Sequence, residues 1–452
     1  MRYFALILGK IIFFLLKIFG RSGGSLPGKT AIRFCSNMLS YFKYPKITIL
    51  VTGTNGKTST SNIIANIFKR AGYKTVSNSK GDNIINGITS LLIKNSNFTF
   101  EIIADALIIE IDELTLAKQL KNIKASDIVI TNFFRDQLDR AGEMESIILK
   151  ISKAMENYKG RLFLNEDDPN VKRFSKISKD IKIVSFGLGK EKNAKTENFD
   201  AKEGKFCPIC NGILEYEYYQ YSHIGKYHCK NCDFKSDMPN YLAKDINYED
   251  NTFEVEVIAN SEKEFDEIPN KKIEKYKTSI NATYHIYNLV SALAVGKTYG
   301  ISSDDINTVF KNFNLGIGRM EKINIGDKKI LLNLVKNPTG CNEIIKYIGN
   351  NKNEKALIFL LNDNHADGRD ISWIWDVNFE QINNLKYAII TGKRAYEAAV
   401  RFKLSNISEN IAVEKDIDKA IAKMLDTNMD MYVISTYTGL FDIRKKLLDF
   451  KV

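Results

Sequence analysis

At 452 residues the chain is too long for one ordinary core, so two or three domains are expected. Its composition, 44% hydrophobic and 26% charged with only 7 prolines, fits a soluble globular protein and excludes a disordered or fibrous one. Lys+Arg (65) exceed Asp+Glu (54) for a net charge of +11, yet no stretch packs five or six basic residues together. Nucleic-acid binding is therefore not expected, and a basic surface facing nucleotide, pyrophosphate or headgroup phosphates accounts for the sign equally well.

Residues 1–45 read as an N-terminal helical segment. Phe4 to Gly20 is apolar but interrupted by Lys10 and Lys17, and it is shorter than a bilayer span. Arg21-Ser22-Gly23-Gly24 reads as a helix exit without a small-residue cleavage site, so no signal peptide is expected. Two readings stay open: a helix docked on the protein, or a helix lying in a membrane interface with its lysines snorkelling to water.

Residues 46–52 predict a buried strand feeding a glycine-rich turn, and Thr60–Ala71 a helix with Ile63, Ile64, Ile67 and Phe68 at helical spacing. Strand-like runs follow at Ala106–Ile111, Asp127–Thr131, Leu162–Leu164 and Ile181–Phe186. From about 190 to 250 the periodicity breaks, and about 203–240 reads as an insertion with its own small fold. Helical character returns at Tyr287–Tyr299, and past about 322 a second α/β unit shows strands at Ala356–Leu361, Tyr387–Thr391 and Met431–Ser435. Strands alternating with helices predict a parallel α/β sheet. The expected domains are thus 46–321 and 322–452, after the helical segment.

A strand, a turn Gly53-Thr54-Asn55-Gly56-Lys57-Thr58-Ser59 and a helix together aim backbone N–H groups at phosphate oxygens. Lys57 would reach the β/γ-phosphates and Thr58 would hold Mg²⁺. The generic P-loop pattern wants a glycine at position 51, where this chain has Val51. Downstream, Ile108-Ile109-Glu110-Ile111-Asp112-Glu113 puts carboxylates at a strand's C-terminal end, where hard oxygen ligands suit Mg²⁺ beside ATP.

Cys207-Pro-Ile-Cys210 and Cys229-Lys-Asn-Cys232, 18 residues apart, have zinc-ribbon spacing. Four thiolates close a tetrahedral shell, so the Zn²⁺ would be structural. A redox role for the pairs is the alternative. His223 and His228 read as surface or outer residues rather than ligands. Cys35 and Cys341 read as buried thiols, and neither sits in a Gly-x-Cys-x-Gly elbow. Metal-type cysteine usage beside an ATP loop points to a reducing, cytoplasmic setting.

The loop Gly-Thr-Asn-Gly-Lys-Thr-Ser resembles the ATP loop of the Mur ligase family, whose fold is a central P-loop ATPase domain followed by a smaller Rossmann-like domain. The resemblance implies Glu110 as the acidic Mg²⁺ ligand. It also matches Leu164-Asn165-Glu166-Asp167-Asp168-Pro169 to an Asn-x-Asp-Asp-Pro turn, Asn288 to an adenine-binding asparagine, and Gly318-Arg319-Met320-Glu321 to a hinge whose arginine contacts nucleotide. Thr131–Arg140 departs from the peptide-adding members, with Gln137 in place of a histidine. Lys150 and Lys153 are out of register for a carbamylated lysine, and His285 stands where an asparagine is usual. A standard two-metal site is in doubt for these reasons.

These departures, the Cys₄ insert, Leu334–Gly340 and Asn362–Trp373 are similar to the MurT subgroup, the synthetase subunits of lipid II isoglutaminyl synthase. That resemblance implies ATP-driven amidation of the D-glutamate α-carboxylate of lipid II through an acyl phosphate, with Lys57 and Lys336 stabilising charge. It implies ammonia from a glutaminase partner, GatD, whose Cys–His pair Asp370 would complete; the plainer role for Asp370 is capping the segment from Ser372 onward. An amino-acid-adding ligase and a non-catalytic ATP-binding scaffold are the competing readings.

Overall fold

The computed structural model describes all residues except 21–23, 80–81, 135–143, 198–201, 259–271, 280–281, 314–316, 409 and 451–452. Met1–Phe134 with Met144–Phe313 form one compact unit, and 317–450 belong to a second.

Hydrophobic runs place the first unit's central strands β1 (Ile47–Thr52), β3 (Ala106–Glu110), β4 (Asp127–Ile130), β5 (Arg161–Asn165) and β6 (Lys182–Leu188), and the short β2 (Thr75–Ser77) closes one edge. Every residue of β3 and β4 is buried, as a parallel strand covered on both faces requires. The insertion contributes the hairpin β7 (Leu214–Tyr221) and β8 (Ile224–Cys229), and then come β9 (Tyr241–Asn247), β10 (Thr252–Val257) and β11 (Lys272–Lys277). The nine-stranded order is β11-β10-β9-β6-β5-β4-β1-β3-β2, parallel from β2 to β9 and antiparallel through β10 and β11.

The expected parallel α/β sheet is present, with three differences. The helix after β1 starts at Lys57 rather than Thr60, because Gly56 turns the chain in the left-handed region (φ 83°). The irregular stretch ends before 241, where β9 rejoins the sheet beside β6. The edge strands β2 and β11, and β10 beside β11, carry no long apolar run; β11, Lys-Ile-Glu-Lys-Tyr-Lys, buries only Tyr276.

At the N-terminus, helices Arg2–Ile18 and Leu26–Phe34 pack with helix Ile85–Asn95. The crossing is close: a Cβ on Gly28 would lie 2.1 Å from the Asn86 carbonyl oxygen, and one on Gly9 2.8 Å from Ile93. Lys10 does not snorkel to water. Its ammonium turns inward onto the carbonyls of Ile93 (2.8 Å) and Ser96 (2.5 Å), stabilising the C-terminal end of helix Ile85–Asn95. Among the described residues no helix is long and apolar enough to cross a membrane.

The second unit holds β12 (Glu321–Ile325), β13 (Lys328–Leu334), β14 (Lys355–Leu360), β15 (Leu385–Thr391), β16 (Ile411–Val413) and β17 (Asp430–Ser435). Their order is β12-β13-β17-β14-β15-β16, parallel except for the edge strand β12. One face packs Phe359, Phe379 and Phe402, and the other Ile358, Ile389, Ile421 and Leu440.

Candidate active site and cysteine cluster

Four strand exits line the C-terminal edge of the first sheet: residues 53–56 after β1, 110–113 from β3, 131–134 after β4 and 165–168 from β5. The loop after β1 is clamped by the exit of β4. Thr54 N donates to Asn132 O (2.8 Å), Asn55 N to Asn132 Oδ1 (2.9 Å), and the Thr131 hydroxyl to Asn55 O (2.7 Å). Phe134 N reaches the Thr54 hydroxyl at 3.0 Å. Gly53 is obligatory here: at φ 121°, a Cβ would meet Thr131 Oγ1 at 2.3 Å. Gly56 starts helix Lys57–Arg70, whose first turn carries no acidic residue, so its N–H groups and dipole favour an anion.

Lys57 Nζ lies across the loop on Gly53 O (2.5 Å), Thr54 O (3.1 Å) and Glu113 Oε1 (3.0 Å). Burial pushes the Glu113 carboxyl up, against the pull of the Lys57 ammonium. Thr58 is half-buried in the helix's first turn, and Ser59 is buried behind it.

The three acids leaving β3 separate by environment. Asp112 caps the helix Glu113–Gln119, accepting from Leu114 N and Thr115 N at 3.1 Å. Glu113 pairs with Lys57. Glu110 is buried (2% exposed): Oε1 accepts from Asn83 Nδ2 (2.9 Å), while Oε2 has no hydrogen-bond partner. Asn78 fixes the same residue from behind, bonding its backbone N and O at 2.8 Å each. A buried carboxylate oxygen with no donor fits a cation ligand.

Asn288, on helix Thr283–Thr298, packs against the loop; a Cβ on Gly56 would touch its Oδ1 at 2.3 Å, and Thr60 Oγ1 donates to it at 3.3 Å. Asn165 is fully buried, with Nδ2 on Thr131 O (3.2 Å) and Oδ1 accepting from Asp167 N (3.1 Å). Lys150 and Lys153 are exposed on helix Met144–Met155, and residues 135–140, including Gln137, lie outside the described residues.

Beyond Asn165, three consecutive buried acids tie the insertion to this edge. Glu166 takes Asp237 N (2.8 Å) and the Lys172 ammonium. Asp167 accepts from Leu188 N (2.8 Å) and Tyr287 OH (2.7 Å), and burial pushes its carboxyl up to about 7. Asp168 accepts from Phe133 N (2.9 Å) and Asn170 N (2.8 Å), and faces His223 Nε2 at 3.2 Å. His223 is therefore not a surface residue. It is completely buried; burial alone would lower its pKa, but the Asp168 charge and hydrogen bond outweigh that and raise it. His228 is exposed beside Glu215 (3.5 Å).

The two Cys-x-x-Cys turns face each other. All four Sγ atoms lie within 4.8 Å of one another, with Cys207–Cys232 at 3.7 Å and Cys210–Cys229 at 3.5 Å. A tetrahedral zinc with Zn–S bonds near 2.3 Å implies S···S of about 3.8 Å, whereas a disulfide needs about 2.05 Å. Matching N–H···S contacts, Ile209 N to Cys207 (3.5 Å) and Asn231 N to Cys229 (3.4 Å), shape both turns. The cluster can hold a metal ion.

In the second unit the Gly318–Glu321 turn is held by Gly318 N on Glu321 Oε2 (2.8 Å) and Met320 N on Asn333 Oδ1 (3.1 Å), with Arg319 half-buried between them. Lys336 is exposed just past β13, before Asn337 caps helix Pro338–Asn350 through Gly340 N (2.9 Å). The 362–370 loop is organised by Thr438: its hydroxyl accepts from Asn362 (3.1 Å) and Asn364 (2.7 Å) and donates to Asp367 (2.5 Å). Asp370 Oδ1 accepts from Ser372 N at 2.8 Å, the capping contact expected of its plainer role. Sequence reasoning did not single out Asn83, Asn132 or Thr438, and it named His223 without its partner Asp168; each acts on a partner distant in sequence.

Two family profiles match: Mur ligase middle domain over residues 51–233 and MurT ligase C-terminal over 334–440. The chain is 35% identical over 431 residues to the lipid II isoglutaminyl synthase (glutamine-hydrolyzing) subunit MurT of Staphylococcus aureus (strain COL), covering 95% of this chain and 93% of the relative. The chain belongs to the MurT family. The same-named subunit of Streptococcus pneumoniae (strain ATCC BAA-255 / R6) is 33% identical over 450 residues, covering 98% and 96%. Among solved structures, a pseudomurein peptide ligase type C from Methanothermus fervidus superposes with a TM-score of 0.69 at 21% identity, over 92% of this chain and 80% of that one. The fold is that of Mur ligases, and the chain is a ligase of that family.

Proposed function

We propose that the chain is the synthetase subunit of a glutamine-dependent lipid II isoglutaminyl synthase, amidating the D-glutamate α-carboxylate of the lipid II stem peptide to D-isoglutamine in peptidoglycan synthesis. The single observation that carries the nucleotide part is the unpartnered, buried Glu110 oxygen at the edge that also holds Lys57 and the glycine loop. In this reading the loop Gly53–Ser59 receives the ATP phosphates, and Thr58 and Glu110 hold Mg²⁺. Asn288 and Arg319 are the further nucleotide contacts of this reading, and the buried Asn165 supports the loop through Thr131. ATP with Mg²⁺ supplies a γ-phosphoryl group whose charge is partly offset. The substrate carboxylate attacks that phosphorus and ADP leaves; ammonia then attacks the acyl carbon, phosphate departs and a proton is lost. Lys57 and Lys336 stabilise the charge on the transferring oxygens. The Cys₄ cluster holds Zn²⁺ in a structural role, since four thiolates leave no position for water.

Ammonia is mostly protonated at neutral pH, so a glutaminase subunit, GatD, delivers it. Asp370 orients that partner's histidine, as a triad carboxylate does. The lipid-linked substrate makes the chain a peripheral protein on the cytoplasmic side of the membrane. Two variants test the assignment. Lys57→Ala abolishes ADP release while the fold is kept; surviving turnover would remove the nucleotide site from this loop. Asp370→Asn ends glutamine-dependent amidation but spares the ammonium-driven reaction at high pH, and equal loss of both would overturn the partner role.

A further inference from the structure

We propose that the outer face of the helix Arg2–Ile18 docks on an anionic phospholipid bilayer, the helix lying parallel to the membrane plane. A surface helix is ordinarily apolar on one side and polar on the other. This one is apolar on both. Its inner side, Ala5, Leu6 and Gly9, is used against its neighbouring helices, and Lys10 is turned into the protein. Its outer side presents Phe4, Ile7, Ile11, Phe14, Leu15 and Ile18, all exposed, Phe14 at 64% and Ile18 at 62%. At 3.6 residues per turn these six fall in an arc roughly 100° wide. Such a stripe marks a surface that something covers.

The charges around it select the occupant. Residues 1–46 contain eight Lys or Arg and no Asp or Glu, and the first acidic residue of the chain is Asp82. Arg2, Lys17, Lys29 and Arg33 are exposed on the two N-terminal helices. A second copy would bring two such acid-free clusters together, whereas anionic headgroups complement them. Spanning the bilayer is excluded by length and by the helix's own packing: 17 residues reach about 26 Å, and one side is fixed to the protein. The proposed function is needed only to give this surface a purpose; lipid binding itself does not rest on it.

Flotation of the full chain with vesicles tests this. Phosphatidylcholine vesicles with about a third phosphatidylglycerol should carry the protein up, and phosphatidylcholine alone much less. Ile7→Ser/Ile11→Ser/Phe14→Ser should weaken partitioning at least about tenfold at unchanged circular dichroism and ATP turnover. Lys17→Gln/Lys29→Gln/Arg33→Gln, which touches no packed residue, should weaken it several-fold on anionic vesicles only. No flotation on anionic vesicles, or full binding by either variant, would overturn the proposal. So would light scattering showing a dimer that the serine variant dissolves, or loss of a protein partner from that variant. Amidation of a water-soluble, nucleotide-linked precursor should be equal in wild type and serine variant. Its absence in both, with vesicle binding intact, would instead count against the proposed reaction.

Discussion

Asp168→Ala is the substitution whose cost follows most directly from the structure. The carboxylate sits at 0% exposure and accepts from Phe133 N (2.9 Å), Asn170 N (2.8 Å) and His223 Nε2 (3.2 Å). Alanine strands three buried donors, each costing about 1–3 kcal/mol. Allowing for relaxation and an admitted water, the expected loss is about 4 kcal/mol, a large part of a typical total of about 5–15 kcal/mol. Asp168→Asn keeps one acceptor and should lose about 2 kcal/mol. Urea unfolding followed by far-UV circular dichroism measures it. The only tryptophans, Trp373 and Trp375, belong to the second unit, so their fluorescence is an internal control. Because Phe133 follows the residue that clamps Asn55, the same variants should bind an ATP analogue several-fold more weakly. A loss under about 1 kcal/mol for the alanine variant, or a shift confined to the tryptophan signal, would refute the reasoning.

Three further outcomes are expected. Glu110→Gln should weaken Mg²⁺-dependent nucleotide binding at least about tenfold while changing stability little, since the oxygen it replaces has no hydrogen-bond partner to lose; calorimetric titration and a melting curve separate the two effects. Cys210→Ser should lose stoichiometric metal by elemental analysis and lower the melting temperature by several degrees, although Cys210 itself is exposed. Stability should fall as pH rises from about 5 to 8. Asp167, raised to about 7, keeps its proton in the fold after the unfolded chain has lost it, so that contribution is complete below about pH 4 and gone above 7. His223, also raised, acts with the same sign, and Asp167→Asn should flatten the urea midpoint against pH.

What was legible in the sequence is what neighbouring residues determine together. The glycine loop and the paired Cys-x-x-Cys turns are contiguous, so spacing alone carries their geometry. The strands that were read, such as Asp127–Thr131, are continuous apolar runs because both faces are covered. Of the strands that were not read, β2, β11, β12 and β16 lie at sheet edges, where solvent permits charge, while β9, β10 and β13 are interior strands next to such edges or to the insertion. Asn83 on Glu110, Asn132 on Asn55 and Asp168 on His223 depend on strand order, which places residues 27, 77 and 55 positions apart side by side. Local periodicity contains no trace of such pairings.

The same strand order explains how the Cys₄ insert is accommodated. β6 and β9 are adjacent and parallel, pairing Phe186 with Tyr241 and Leu188 with Ala243, so the chain must cross over between them. A crossover in an α/β sheet is ordinarily a helix that covers the sheet with its apolar side. Here the crossing includes a two-stranded hairpin whose buried core, among the described residues, is Cys207, Leu214, Tyr227, Cys229 and Phe234. Five residues bury too little to hold a hairpin, which is the circumstance in which a thiolate-bound metal supplies folding free energy. The remaining stability comes from the acids at 166–168: Tyr227 OH and Gly225 N reach the Glu166 and Asp167 carbonyls, and His223 reaches the Asp168 carboxylate. Those acids leave β5 beside the exit of β4 that clamps the glycine loop. Metal loss should therefore reach the nucleotide loop through this seam, as weaker nucleotide binding that Asp168→Asn reproduces with the metal still bound.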